Sequence, residues 1–288
     1  MNRSTLVHPS SPTNKSTDAG PVPGGPSPVP CSVTSSAQSA VPFSLLHGET
    51  DFCLFRTADG SPTMAFGPPD QRSEFMHSTH GAFSESIYNY GTAIEEARQR
   101  QWPLQILSVG LGLGYNELIA ASMLSPQSSA VSLTSFESTT FLRDNFMKWL
   151  TGSLASPLWN SIYEQIVALC AQHFARHPQE IKDQLVTWHA EGLWVVNDAL
   201  TRTSQHLRPY SVVIFDAFSR RTSPSLWSDE LLDALLAQNC MGNCIFATYA
   251  STGDLKRCLK RHGFSLVQRK GHAGKRESTL AMREEIAG

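Results

Sequence analysis

Hydrophobic and polar positions along this chain repeat with two periods, and the switches between them mark the elements. Phe52-Cys53-Leu54-Phe55-Arg56-Thr57 and Thr63-Met64-Ala65-Phe66 read as strands around the turn Ala58-Asp59-Gly60-Ser61-Pro62, a hairpin. Ser84 to Gly91 leads into an amphipathic helix ending near Arg100. Four further strands are predicted: Leu104 to Val109, Val131 to Phe136, Gly192 to Asn197 and Ser211 to Phe215. Helical periodicity covers 139–150, through Phe141, Leu142, Phe146 and Leu150, and 157–177, through Ile162, Ile166, Leu169 and Phe174. These two read as a helical insertion. Helices at 228–239 and 252–262 and strands near 243–249, 264–269 and 278–283 complete the pattern. Strands alternating with helices predict an α/β fold, with a mostly parallel sheet and helices on both faces. Residues 43–100 then form an N-terminal cap on a main domain spanning 101–288. Residues 1–42 are rich in Ser, Pro and Gly and poor in large apolar side chains, so a disordered tail is expected.

In such sheets ligands bind beyond the carboxyl ends of the strands. Four successive strand ends here carry Gly110-Leu111-Gly112-Leu113-Gly114, Glu137, Asp198 and Asp216, predicting one shared crevice. Glycines after a strand permit a sharp turn and a close backbone approach to a ligand, and the next helix presents its N-terminus. The spacing is G-x-G-x-G, which is neither the dinucleotide fingerprint nor a phosphate-binding P-loop. Glu137 lies 23 residues after Gly114, where an acid accepts hydrogen bonds from ribose hydroxyls. Asp198 is placed to receive the exocyclic amine of a base. A nicotinamide cofactor and S-adenosylmethionine both fit. The loop spacing and the acidic third strand end lean towards S-adenosylmethionine, whose sulfonium tail needs no pyrophosphate cradle.

Composition narrows the classes. The 288 residues are 41% hydrophobic and 17% charged with a formal net charge of −2, which suits one α/β domain rather than a nucleic-acid-coating protein. The six cysteines are scattered. Cys240 and Cys244 are the close pair, and no second pair or nearby histidine completes a zinc set beside them, so no metal is expected. No apolar run approaches the ~20 residues of a membrane span, and no signal-type stretch opens the chain. A cytoplasmic protein with reduced thiols and no membrane contact is the expectation.

Three stretches are more specific. They are Met76-His77-Ser78-Thr79-His80-Gly81-Ala82-Phe83-Ser84-Glu85-Ser86, the run Phe215-Asp216-Ala217-Phe218 through Pro224 to Trp227, and Phe246-Ala247-Thr248-Tyr249 with its continuation to Gly271-His272-Ala273-Gly274-Lys275-Arg276-Glu277. Together with the glycine loop they resemble the methyltransferase part of the bacterial MnmC-type tRNA wobble-uridine modification enzymes, from about Asp51 to Met282. The resemblance implies a Rossmann-like class I methyltransferase using S-adenosylmethionine. It implies methylation of the primary amine of 5-aminomethyl-2-thiouridine in the anticodon of tRNA, and it places Glu85 near the cofactor. The chain stops after the methyltransferase part, so the FAD oxidase half is expected to be absent and a separate enzyme to supply the aminomethyl substrate.

The residues themselves suggest the chemistry. A methyl sulfonium is already activated, so alignment and a neutral amine are what the protein must supply. Asp216 is the candidate to accept or orient the amine's proton. Phe218 and Trp227 are candidates to stack on a splayed base, or else packing residues. From Asp254 to Arg276 the bases Lys256, Arg257, Lys260, Arg261, Arg269, Lys270, Lys275 and Arg276 face one acid, Asp254, a candidate phosphate-binding surface with Lys275 and Arg276 at its end. The alternatives are a small-molecule N-methyl- or aminopropyl-type transferase and a non-catalytic tRNA-binding relic of the fold.

Overall fold

The computed structural model describes residues 52–66, 74–124, 131–204, 207–274 and 277–285. The N-terminal tail expected over 1–42 lies outside these residues. Strands β1 (Phe52–Arg56) and β2 (Pro62–Phe66) form the expected hairpin, with Leu54 opposite Met64 and both fully buried. A short third strand, β3 (Glu74–Phe75), pairs with β2. Helix α1 (Ala82–Ser86), a π-helical turn (Ile87–Gly91) and α2 (Thr92–Gln99) then run on without a break. A π turn inserts one residue into the helical ladder and so redirects the side chains on it.

The main sheet has seven strands: β4 (Leu104–Val109), β5 (Val131–Phe136), β6 (Trp194–Asn197), β7 (Tyr210–Phe215), β8 (Cys240–Thr248), β9 (Ser265–Val267) and β10 (Thr279–Arg283). Their order is β6-β5-β4-β7-β8-β10-β9. The first five are mutually parallel, and β10 runs antiparallel to both its neighbours. The chain leaves β4 towards β5 and β6 and then crosses back to β7, so β4 is the switch point where such sheets open a crevice.

Alternate residues of the buried strands feed two cores. Ile106, Leu133, Val212, Ile214, Ile245 and Ala247 pack on one face, together with the hairpin residues Phe52, Leu54 and Met64. Leu107, Val109, Val213, Phe215, Cys244 and Phe246 pack on the other, against helices α7 (Asp229–Gln238) and α8 (Gly253–Arg261). The hairpin and the first face therefore share one core, across the boundary that the sequence pattern sets at residue 100.

Helix α3 (Tyr115–Met123) follows the glycine loop as expected, and α4 (Thr140–Leu150) and α5 (Pro157–Phe174) lie where the periodicity puts them. The insertion holds one helix more than expected. α5 ends at Ala175, whose φ of 52° is left-handed, and α6 (Pro178–Ala190) begins behind a His177–Glu180 capping box with proline in its first turn. Ile181, Leu185 and Trp188, at helical spacing, are its buried face. No helix among the described residues is long and apolar enough to cross a membrane.

Candidate active site

The glycine loop and the end of β7 are built against each other. The Asp216 N–H donates to the Val109 carbonyl at 2.8 Å, while the N–H groups of Gly110 and Leu111 donate to the Phe136 carbonyl. Gly110 has φ +92°, and a Cβ there would lie 2.4 Å from the Asp216 carbonyl oxygen. Gly114, at φ +78°, is the N-cap of α3, and a Cβ there would lie 2.0 Å from the Phe146 ring. Both glycines thus make room for the protein's own backbone and core rather than for a ligand. At Gly112 a Cβ would meet only the Met76 side chain, at 3.4 Å, and its N–H donates to Glu137 Oε2 at 2.9 Å.

Beyond these strand ends lies a cavity of about 320 Å³, lined by Gly110 to Leu113 and by Glu137, Asn116, Asp216, Phe218 and Tyr249, among others. The Glu137 carboxylate is held by two backbone donors, Gly112 and Thr139, the latter at 2.8 Å on Oε1. A carboxylate accepts about four hydrogen bonds, so lone pairs remain for hydroxyl groups in the cavity. Asp216 is held by two side chains. The Tyr90 hydroxyl donates to Oδ1 at 2.6 Å, and Asn116 Nδ2 donates to Oδ2 at 3.1 Å. Burial pushes the Asp216 carboxyl up to about 8, against the pull of those two hydrogen bonds, and the charges of Glu85 and Glu117 add to the rise. Burial likewise raises Glu117, beneath the loop, to about 7, although Ser135 donates to it at 2.8 Å. The Tyr90 hydroxyl is pushed well up by burial and by Asp216, so it stays a donor.

These features test the fit of S-adenosylmethionine. The cavity offers a backbone loop without side-chain obstruction at Gly112, a pinned acid at Glu137, and Asn116 Oδ1, a buried acceptor with no hydrogen-bond partner. An ammonium or hydroxyl donor of a ligand satisfies that oxygen. The donor set fits the cofactor.

Of the residues singled out in the sequence, Gly110, Gly112, Glu137, Asp216 and Phe218 line this cavity. Asp198 is exposed and outside its lining, where Ala199 and Leu200 stand instead. Glu85 is buried but behind the wall, accepting the Ser78 N–H and acting electrostatically on Asp216 and Tyr90. Trp227 requires correction as a stacking ring. It is 5% exposed, packs edge-on against Phe215 at 5.0 Å, and donates its indole N–H to the Phe218 carbonyl at 2.6 Å. Trp227 braces the loop that carries Phe218. Lys275 and Arg276 lie outside the described residues.

The basic surface also differs from its count in sequence. Acids remote along the chain meet it: Glu277 pairs with Lys256 and Asp233 with Arg261, while Asp254 pairs with Arg257. Arg269 is drawn inward, donating to the Tyr88 carbonyl at 3.1 Å with its guanidinium 5.1 Å over the Tyr88 ring.

Three positions that the structure brings to the site carried no role in the sequence reading. Tyr90 reaches Asp216 from the π turn, and its place in the run Tyr88-Asn89-Tyr90-Gly91 gave no periodic signal. Asn116 stands two residues past Gly114, where its polarity inside a helix was the available hint. Glu74 on β3 accepts from the Ser219 N–H at 2.6 Å, from Ser219 Oγ at 2.8 Å and from the Thr222 hydroxyl, tying the segment after Asp216 to the cap.

Comparisons with known proteins bear on the kind of domain this is. A family model for S-adenosyl-L-methionine-dependent methyltransferases matches residues 162–284. The chain is 26% identical over 228 residues to the tRNA 5-methylaminomethyl-2-thiouridine biosynthesis bifunctional protein MnmC of Paraburkholderia xenovorans, covering 76% of this chain and 33% of that protein. The protein of the same name from Pseudoalteromonas atlantica is 31% identical over 98 residues, 34% of this chain and 12% of its own. The chain thus spans about a third or less of the length of these relatives. The crystal structure of MNMC2 from Aquifex aeolicus superposes with a TM-score of 0.56 at 24% identity, covering 83% of this chain and 72% of that one, and so shares its fold. The resemblance read from the sequence motifs, and the S-adenosylmethionine cofactor it implies, are borne out.

Proposed function

We propose that this chain, whose domain is of the MnmC methyltransferase type, transfers a methyl group from S-adenosylmethionine to the aminomethyl nitrogen of 5-aminomethyl-2-thiouridine in the anticodon of tRNA. The observation that carries this reading is Asp216: a carboxyl pushed up to about 8, fixed by Tyr90 and Asn116, and facing the same cavity as the glycine loop and Glu137. Bound S-adenosylmethionine supplies a methyl group already activated on sulfur. The backbone of Gly110 to Leu113, Glu137 and Asn116 Oδ1 are the groups that would hold it.

What remains for the protein is to present a neutral amine. An aminomethyl group in water is an ammonium, which has no lone pair for attack. Entering beside Asp216, the ammonium offsets the burial of the carboxylate, so the carboxyl proton leaves to solvent and the pair then shares the ammonium's proton. Asp216 takes that proton and orients the nitrogen, and Tyr90 and Asn116 keep both carboxylate oxygens fixed while it does so. A base poised near the working pH is the efficient choice. Phe218 in the cavity wall presents a ring to an extruded base, the mode by which single-stranded RNA is usually read. The reading includes a separate enzyme that delivers the aminomethyl nucleoside, and a cytoplasmic place of action.

The ion pairs on the basic surface do not exclude RNA. Exposed pairs hold weakly, so phosphates compete for the same cations. They do remove the simplest argument against a small-molecule acceptor. Nucleoside mass spectrometry of tRNA from cells lacking the protein, followed by incubation of that tRNA with purified protein and S-adenosylmethionine, decides the matter. Accumulated aminomethyl nucleoside that converts to the methylaminomethyl form is the expected result. An unchanged nucleoside profile overturns the substrate.

A further inference from the structure

Outside the cavity, helices α7 and α8 bring together three side chains that differ in chemistry and converge on one point. Asp233 stands on α7. Cys258 lies in α8 and His262 caps its end, four residues on, so the two share one side of the helix. Their donor atoms, Asp233 Oδ1, Cys258 Sγ and His262 Nε2, lie within 4.8 Å of one another. The Cys258 thiol donates to Oδ1 at 3.3 Å, and His262 Nε2 is 2.8 Å from the same oxygen. Cys258 is fully buried, whereas Asp233 and His262 are part exposed, so the cluster lies at the surface with the thiol on its inner side.

We propose that Asp233, Cys258 and His262 form a binding site for a thiophilic divalent cation of the zinc type, with water as the fourth ligand, clipping α7 to α8. A thiolate, an imidazole and a carboxylate are the donors that such an ion prefers over magnesium or calcium. With metal–ligand bonds of about 2.0–2.3 Å, tetrahedral donors sit roughly 3.3–3.8 Å apart. The gaps of 3.3 and 2.8 Å, and the third pair within 4.8 Å, therefore need to shift by no more than about an ångström. Binding displaces the thiol proton, which leaves with solvent, and no electron is transferred. Arg261, which donates to both oxygens of Asp233 at 2.9 and 3.1 Å, must swing away. Its guanidinium is about half exposed, and such surface pairs yield readily to a divalent ion. Sequence spacing hid this set, because the third ligand comes from 25 residues earlier in the chain.

The test uses the reduced full chain and cobalt(II) as a spectroscopic stand-in for zinc. One equivalent should give a thiolate-to-cobalt charge-transfer band with the strong visible bands of a tetrahedral ion, and zinc should bleach both. Cys258→Ser should abolish the charge-transfer band. His262→Ala should keep a weaker one and lose affinity for zinc about 100-fold, with methyl transfer unchanged. Circular dichroism and the thermal midpoint without metal establish that each variant folds. A wild-type protein that gives no thiolate band overturns the site. So does a band that survives in folded Cys258→Ser, since another thiol is then the ligand. Failure of the methyl-transfer assay leaves these readouts untouched.

Discussion

Replacing Asp216 by asparagine separates the carboxylate's contribution to catalysis from its effect on stability, and the two should change in opposite directions. Asp216 has its ionisation raised from 3.8 to about 8 in the folded chain. Between those values the unfolded chain has released its proton while the folded chain retains it, so wild-type stability falls as pH rises from about 4 to about 8. Near pH 7 the gap is about three pH units, each worth about 1.4 kcal/mol, which gives an upper bound of about 4 kcal/mol. Asp216 faces an open cavity whose water screens the charge. Halving the figure for that screening leaves about 2 kcal/mol. Asparagine does not titrate, so the variant avoids this cost. Its oxygen accepts from Asn116 Nδ2 as before, and its new amide N–H donates to the Tyr90 hydroxyl, which can accept as well as donate. Asp216→Asn should therefore melt higher than wild type by about 4–8 °C near pH 7, and by about 2 °C or less near pH 4.5. Differential scanning calorimetry at the two pH values measures this. Isothermal titration should find S-adenosylmethionine binding retained while methyl transfer is lost. A variant that melts no higher near pH 7, or a gain equal at both pH values, refutes the reasoning that Asp216 is an acid held against its ionisation.

Tyr90→Phe removes the 2.6 Å donor to Asp216 and should lower kcat about 10- to 100-fold, the equivalent of one charge-assisted hydrogen bond. Because that bond pulls the Asp216 ionisation down, the acid limb of the pH–rate profile should also move to higher pH, and an unmoved limb disproves the coupling. Glu74→Ala frees the Ser219–Thr222 segment and should raise KM for the acceptor more than it lowers kcat, as steady-state kinetics would resolve. Gly114→Ala drives a methyl group into the Phe146 ring at a left-handed backbone position, and should cost about 2–5 kcal/mol by denaturant unfolding.

Much of the architecture was legible because the strands are short and bounded by sharp signals. Leu104 to Val109 ends on glycines, while Val131 to Phe136 and Ser211 to Phe215 end on acids, and all three lie in the sheet as read. The missing helix α6 has apolar residues at helical spacing but begins at Pro178, which reads as a break unless His177 is taken as a cap. Topology then carried the parallel strand ends to one place, so Gly112, Glu137 and Asp216 meet although they span more than a hundred residues. Asp198 obeys the same rule and still misses the cavity, because strand ends fix where a backbone goes and not where the next side chain points. The basic surface failed for a related reason. Counting charges along Asp254 to Arg276 sees neighbours in sequence, whereas Asp233 and Glu277 neutralise two of them in space.

The cap accounts for what the sheet alone does not provide. Three of its side chains act on the Asp216 side of the cavity: Tyr90 holds Asp216, Glu85 raises its ionisation through space, and Glu74 ties down the segment that leads away from it. Tyr90 can do so because the π turn redirects it, and that turn is itself pinned from the far edge of the sheet. Arg269 donates to the Tyr88 carbonyl and stacks on its ring, and the Tyr88 hydroxyl donates back to the Lys270 carbonyl. A contact made by the chain beyond β9 is therefore two residues from the hydroxyl that holds Asp216.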